Sequence, residues 1–535
     1  MIPLRPRVTS IVPALFFVAL LPRTSAAIVD IYPGPGIDTY RSVRYTVDVS
    51  TDGTNWTPAY VYQFSRKSVT YWWAGQSPSV NFVTIGADVT IQVRVSKIGG
   101  AITGVDASPK SKPVSGGKVK NGIATAPLSP GDKYWLTING DDANPLFIFV
   151  DGPKPEVPAG ATYFGPGIQD IAPSTGGHYK ASSGETIYLD GGAWVRGNID
   201  IRGTNGVHVM GPGILSGDLW SGEKQGAAVL PFNEFLNYAM ITGDFYGGDD
   251  AVVEGITIVD APGYNFFGGA RRVSRVKILS PWFYSTDAFN GVSHVDHSFV
   301  FNGDNVFAPS WAGVAGESVT YTSCFVATAL NSVFTGGYWG NDPNDRFAAL
   351  AEDMDIRTYN SDTGGPPLLA AVFQIWMDNS SSSKGYRNQT YRNIRIEGGP
   401  TGHFTSPILE LKNFVYPWGG STAVNPPLGN SYNIVFQDIT VGGSEKYRNQ
   451  IEGWDANNGW HGVVLDNFVE NGQIVNPSNL GRYFDVNGFV WDLSYTAPAT
   501  PCGSGDQPVA DSPSEGPRDR IVPIEPCTPI PVAGR

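Results

Sequence analysis

Val253-Glu-Gly-Ile-Thr-Ile-Val, Val276-Lys-Ile-Leu and Ser298-Phe-Val-Phe-Asn repeat one short β-rich phrase. Their starts lie about 22 residues apart, the length of a short solenoid repeat. A strand phrase at that period reads as one coil of a parallel β-helix, because each coil exposes an apolar face that only the next coil covers. The phrase recurs on either side, as Ala193-Trp-Val-Arg-Gly-Asn-Ile, Val207-His-Val-Met-Gly, Val319-Thr-Tyr-Thr, Asn393-Ile-Arg-Ile-Glu and Asn433-Ile-Val-Phe-Gln. A large irregular sandwich and a propeller are the alternatives. Propeller blades repeat at about 40 residues, which fits less well. Residues 159–495 are therefore expected to form the β-helix and to carry the function.

Ahead of it the pattern changes. Arg44-Tyr-Thr-Val-Asp-Val, Thr90-Ile-Gln-Val-Arg-Val and Tyr134-Trp-Leu-Thr-Ile alternate at period two between Gly, Pro, Asp and Asn clusters. Such runs indicate an antiparallel β-sandwich, here residues 28–158. Residues 496–535 are rich in Pro, Ser and Gly without apolar periodicity and read as a tail. The chain has 65 Gly and 41 Pro, with charged residues only 16%. That composition opposes a helical protein and supports an all-β class.

Residues 1–27 read as a secretory signal peptide: Arg5 and Arg7, then the apolar run Ile11 to Leu21, then small residues at Ser25-Ala-Ala27. That run is too short to span a bilayer, which needs about 20 residues. Asn55, Asn379 and Asn388 open N-glycosylation sequons. A secreted, extracellular glycoprotein is expected. Of three cysteines, Cys324 sits in an apolar run and reads as a core residue, while Cys502 and Cys527 lie in the tail, where they could close a loop.

The net charge is −13, and the leader holds bases but no acid. Nucleic-acid binding needs clustered Lys and Arg. The densest group, Arg271, Arg272, Arg275 and Lys277, is too small. A neutral partner, no membrane and a monomer are expected. None of the six histidines forms an HExxH pair, and His294 and His297 read as surface or turn residues. P-loop and nucleophile-elbow motifs are missing, and no cofactor or metal is called for.

Carboxylates remain. Asp287, in Tyr284-Ser-Thr-Asp-Ala-Phe-Asn290, and Asp304, in Phe301-Asn-Gly-Asp-Asn305, fall on successive coils. Stacked strands lie about 4.8 Å apart, so both carboxyls can face one groove. Inverting glycoside hydrolysis needs two carboxyls about 6.5–9.5 Å apart. The bland alternative is a pair of turn residues. Asp141-Asp142 and Asp249-Asp250 are rivals in Gly- and Asn-rich turns. Aromatic residues crowd the same stretch: Trp282, Phe283, Tyr284, Trp311, Tyr338 and Trp339. Sugar rings stack on such side chains. Trp311 and Trp339, flanked by turns, are the expected platforms.

The chain resembles glycoside hydrolase family 49, the dextranases and isopullulanase, over about residues 28–470. Ile187-Tyr-Leu-Asp-Gly-Gly-Ala-Trp-Val-Arg-Gly, Gly211-Pro-Gly-Ile-Leu-Ser-Gly-Asp218, Val253 to Pro262 and Asn144-Pro-Leu-Phe-Ile-Phe-Val150 carry the likeness. The resemblance implies a sandwich followed by a right-handed parallel β-helix, and metal-free hydrolysis of α-glucans with inversion. Thr286-Asp287 matches the family's first aspartate, expected here as general base. Asp304 matches the first of its Asp pair, expected as general acid. Asn290 and Asn305 stand where the family has carboxylates and are expected to bind substrate. Two further readings compete: a polysaccharide-binding β-helix with no catalysis, and a pectin-active hydrolase. The segment Trp282 to Trp311 holds no Lys or Arg to bind uronates.

Overall fold

The computed structural model describes residues 27–65, 79–220, 236–244, 250–282, 285–309, 318–329, 331–336, 349–358, 371–378, 386–398, 403–404, 406–414, 429–445 and 447–495. The leader, the tail with Cys502 and Cys527, Asp249, Phe283, Tyr284, Trp311, Tyr338, Trp339 and Asn379 lie outside these residues.

From Thr162 onward the chain winds as a parallel β-helix. One coil shows how. Ala270–Ser274 and Lys277–Ser280 join a long sheet, and Phe289–Asn290 joins a second sheet across the core. Ile278 lies level with Ile258 and Val300 on the neighbouring coils, and Phe289 with Phe266 and Phe307. All of these side chains are fully buried. Among the described residues the long sheet has 21 strands and the second 11.

Where a coil turns within the long sheet, a left-handed residue sits at the corner. These residues form a column: Gly211, Gly255, Arg275, His297, Ser323, Asp353, Asn393, Asp438 and Asn467, all with positive φ. A left-handed non-glycine residue costs about 1–2 kcal/mol, least for Asn and Asp. The stack offsets that cost. The N–H groups of Arg275, His297 and Ser323 donate to Asp296, Thr322 and Glu352 carbonyls on the next coil, at 3.0–3.1 Å. His297 is thus a corner residue, and His294 Nδ1 bonds the Thr320 hydroxyl.

The coils are less even than the sequence phrases suggest. Val253 is level with Val273, whereas Ala351 is level with Tyr391, twice as far along the chain. Val253 is therefore not the equivalent of Val276: Thr257 pairs with Lys277, which puts Ile256 level with Val276. Each coil holds two look-alike phrases around its corner, and the sequence does not say which one matches.

The sandwich runs from Val29 to Asp151 as a six-stranded and a five-stranded sheet. It packs on the outer face of the long sheet. Trp135, Phe147 and Phe149 meet Phe299 and Phe301, and Phe64 meets Trp282 with ring centroids 5.0 Å apart. Two buried cations pin this contact. Lys277 Nζ donates to Asp151 at 2.5 Å, and Arg357 donates to Asp142 at 2.7 Å while lying over the Trp135 ring. Asp142 is therefore a structural anion, and Asp141 accepts from the Asn144 amide. Exposed Asp250 pairs with Arg271.

Truncating Phe301 to Ala removes a fully buried ring from this interface. The expected loss is about 3–5 kcal/mol, read from the denaturant midpoint. A loss under about 1 kcal/mol would mean that the interface does not hold the two parts together.

Candidate active site

The chain leaves the long sheet at Ser280 and bends to reach Phe289–Asn290 in the second sheet. Around the bend Ala288 and Phe289 point into the core, while Asp287 stands at its edge. The next two coils repeat the bend as Asn305-Val306-Phe307 and Ser332-Val333-Phe334. Phe266, Phe289, Phe307, Phe334 and Phe373 stack at 5.2–5.6 Å between successive rings. This aromatic ladder fixes the register. Since Phe289 pairs with Phe307, Asp287 is level with Asn305, and Asp304 sits one residue earlier, level with Thr286. The two carboxyls are on adjacent coils and offset.

Asn305 joins them. Its main-chain N–H donates to Asp304 Oδ1 at 2.9 Å, and its Nδ2 donates to Asp287 Oδ1 at 3.0 Å. Its own Oδ1 accepts from the Ser332 hydroxyl at 2.5 Å. Asp304 accepts two further donors: the Ser285 N–H on Oδ2 at 2.5 Å and Asn331 Nδ2 on Oδ1 at 2.7 Å. The bend itself is held from inside by two fully buried asparagines. Asn265 Nδ2 donates to the Thr286 carbonyl at 3.0 Å, and Asn302 Nδ2 to the Thr286 and Asn305 carbonyls at 3.0 and 2.8 Å.

Burial pushes the Asp287 carboxyl well above the usual carboxylate range, and the charge of Asp304 pushes it the same way against the Asn305 amide. Burial also raises Asp304, where the Ser285 N–H, the Asn331 amide and the Asn305 N–H oppose it. Two carboxyls whose charges interact favour one proton between them over two charges.

The structure therefore brings Asp287, Asp304 and Asn305 together. Asn290 follows on the strand after Asp287, 4% exposed, and its Oδ1 has no hydrogen-bond partner among the described residues. Trp282 is fully buried against the sandwich and is no sugar platform. Cys324 is buried in the core, which raises its thiol to about 12. Sequence reasoning missed Asn265, Asn302, Asn331, Ser332 and the Ser285 N–H. A signal was present: aligning Asp287-Ala-Phe, Asn305-Val-Phe and Ser332-Val-Phe places Thr286, Asp304 and Asn331 in the preceding column.

No protein-family model matches the chain, and no curated protein matches it in sequence. Among solved structures the chain is similar to Dex49A from Penicillium minioluteum, at 15% identity and a TM-score of 0.59, over 87% of this chain and 96% of that one. A polygalacturonase from Erwinia carotovora ssp. carotovora matches at 11% identity over 66% of this chain and 88% of that one, with a TM-score of 0.36. A GH87 alpha-1,3-glucanase catalytic domain in complex with nigerose matches at 11% identity over 86% and 89%, with a TM-score of 0.33. The last two superpose too loosely to bear on the argument. The first shares the fold that the sequence resemblance implies. Its low identity accords with a chain that departs from the family motif at Asn290 and Asn305.

The raised carboxyl carries a stability signature. Unfolded Asp ionises near pH 3.9, whereas native Asp287 keeps its proton to higher pH. Above about pH 4 the unfolded chain then binds fewer protons than the native one, and stability falls as pH rises towards the native pKa. Asp287→Asn keeps the shape and removes the titration. Its melting temperature should exceed that of the wild type at pH 7 and approach it at pH 4. Equal melting temperatures at both pH values would mean that Asp287 ionises normally.

Proposed function

We propose that this chain is a secreted glycoside hydrolase that cleaves a neutral polysaccharide, an α-glucan of dextran or pullulan type, with inversion at the anomeric carbon. The observation that carries this reading is the Asp287–Asp304 pair, bridged by Asn305, in which one carboxyl is pushed to hold a proton. Glycoside hydrolysis asks for that combination: a protonated carboxyl for the leaving oxygen and an ionised one for water. The fold shared with Dex49A supports it. The acidic chain, with no Lys or Arg between Trp282 and Trp311, favours a neutral sugar over a uronate. Placement on adjacent coils with a one-residue offset favours the wider separation that leaves room for water.

A binding-only reading has its own support. Asn305 is engaged at both ends of its amide, so the position matching a family carboxylate is closed into a hydrogen-bonded ladder. Reducing-end release from dextran, pullulan and polygalacturonate separates the readings. Release from an α-glucan is expected. Binding without release from any of the three would favour the binding module, and release from polygalacturonate alone the pectin-active enzyme.

Asp304→Asn should lower turnover by roughly 10²–10⁴-fold while leaving the fold intact. Comparable turnover would remove Asp304 from the mechanism. Proton NMR of the first product from an α-linked substrate should show the β-anomer, and an initial α-anomer would mean retention.

A further inference from the structure

We propose that the N-terminal sandwich holds a binding site for an aliphatic carboxylate, with the apolar chain between its two sheets and the carboxylate at Lys118. The site is separate from the Asp287–Asp304 bend and does not depend on the hydrolase reading.

The two sheets of the sandwich enclose a cavity of about 400 Å³. Small-molecule sites run from about 300 to 1,000 Å³, whereas packed interiors leave few voids larger than a water. The cause lies in the sequence. Ile123–Leu128 reads Ile-Ala-Thr-Ala-Pro-Leu, so the positions level with buried Val93 and Val95 are Ala126 and Ala124. Across the gap Ala107 lies level with Leu136. Methyl groups stand where facing sheets, about 10 Å apart, need longer side chains to meet. Elsewhere between the sheets Val47, Val83 and Ile85 are fully buried, whereas Val105, Ala107, Ala124 and Ala126 are only half-buried. Tyr134 is the one aromatic residue in the lining, which suits an aliphatic chain better than a flat ring.

The mouth lies at one edge of the sandwich, where Val105–Ser108 ends one sheet and Lys118–Lys120 the other. Residues 109–117 link these edge strands, and Pro113, Val114 and Gly117 line the cavity. The β-helix holds the link in place: the Lys110 N–H donates to Glu397 at 2.8 Å and the Ser111 hydroxyl to Asp355 at 2.5 Å. The same stretch carries Lys110, Lys112, Lys118 and Lys120, with no acid between Asp106 and Asp132, in a chain of net charge −13. Lys110 pairs with Asp106, and Lys112 with Asp355 at 3.6 Å. Lys118 lines the cavity and, like Lys120, has no ion pair among the described residues. A lysine can lay its stem along apolar surface and keep its ammonium in water. Apolar walls with an unanswered cation at the mouth match a molecule that has an apolar chain and one anionic end.

Isothermal titration of the full chain with hexanoate, octanoate, decanoate and dodecanoate, each below its micelle concentration, tests the site. One molecule should bind per chain, and each added methylene should tighten binding by up to roughly fourfold until the cavity is full. Dodecyltrimethylammonium has the same tail and the opposite charge, and it should bind more weakly even though the protein is acidic. Ala126→Phe fills the space and should abolish binding while keeping or raising the melting temperature. If that variant does not fold, Ala107→Leu gives the same readout. Lys118→Glu combined with Lys120→Glu should reverse the preference for carboxylate over ammonium. No binding, binding that ignores both cavity-filling variants, or equal binding of the two charges would overturn the proposal. So would a dimer that Ala126→Phe splits, which would make a second copy of the chain the occupant.

Discussion

Stacking of each coil on the next is the constraint on which the rest of this structure depends. Parallel strands about 4.8 Å apart leave no freedom to slide once their side chains interdigitate. Here the register is held three times over. Ile258, Ile278 and Val300 align inside the long sheet, the Phe266–Phe373 ladder aligns inside the second, and the left-handed column marks every corner. A coil can double in length without disturbing any of these: Val253 is level with Val273 and Ala351 with Tyr391.

The candidate site is a consequence of that register. Asp287 and Asp304 belong to different coils, and only the pairing of Phe289 with Phe307 brings them to one bend. Asn305 then meets both, with its main chain on one carboxyl and its side chain on the other. Trp282 lies on the way into the same bend, and its ring is clamped by Phe64 of the sandwich. The sandwich thus braces the outer face of the sheet from which the turn carrying Asp287 departs. The buried cations Lys277 and Arg357 each meet a carboxylate of the sandwich, Asp151 and Asp142, which orients the two parts and answers both charges.

The site spends stability. Two carboxyls sit in a poorly solvated bend, a left-handed Ser285 presents its N–H, and the Asn290 side-chain oxygen has no partner among the described residues. Local rules broken together at one place mark functional sites more often than faults of folding. Around them the carbonyls of the bend are answered by the side-chain amides of Asn265 and Asn302.

By itself the sequence determined the class of fold, the two-part order and the chemical candidates. Alternating runs and recurring phrases follow from the two-residue period of a strand, a local property that survives in any one chain. Asp287, Asp304 and Asn305 were legible because acid–base chemistry needs carboxyls and few others lay in a suitable turn. The tertiary structure alone decided which phrase stacks on which, and so which residues share a column. Asn331 and Ser332 belong to the coil after Asp304 and Asn305, and only the closing of that coil makes them donors to the site. It also decided that Trp282 belongs to the sandwich contact. Whether a tryptophan faces a sugar or a neighbouring sheet depends on what covers it, and burial against a distant segment leaves no mark in the local pattern.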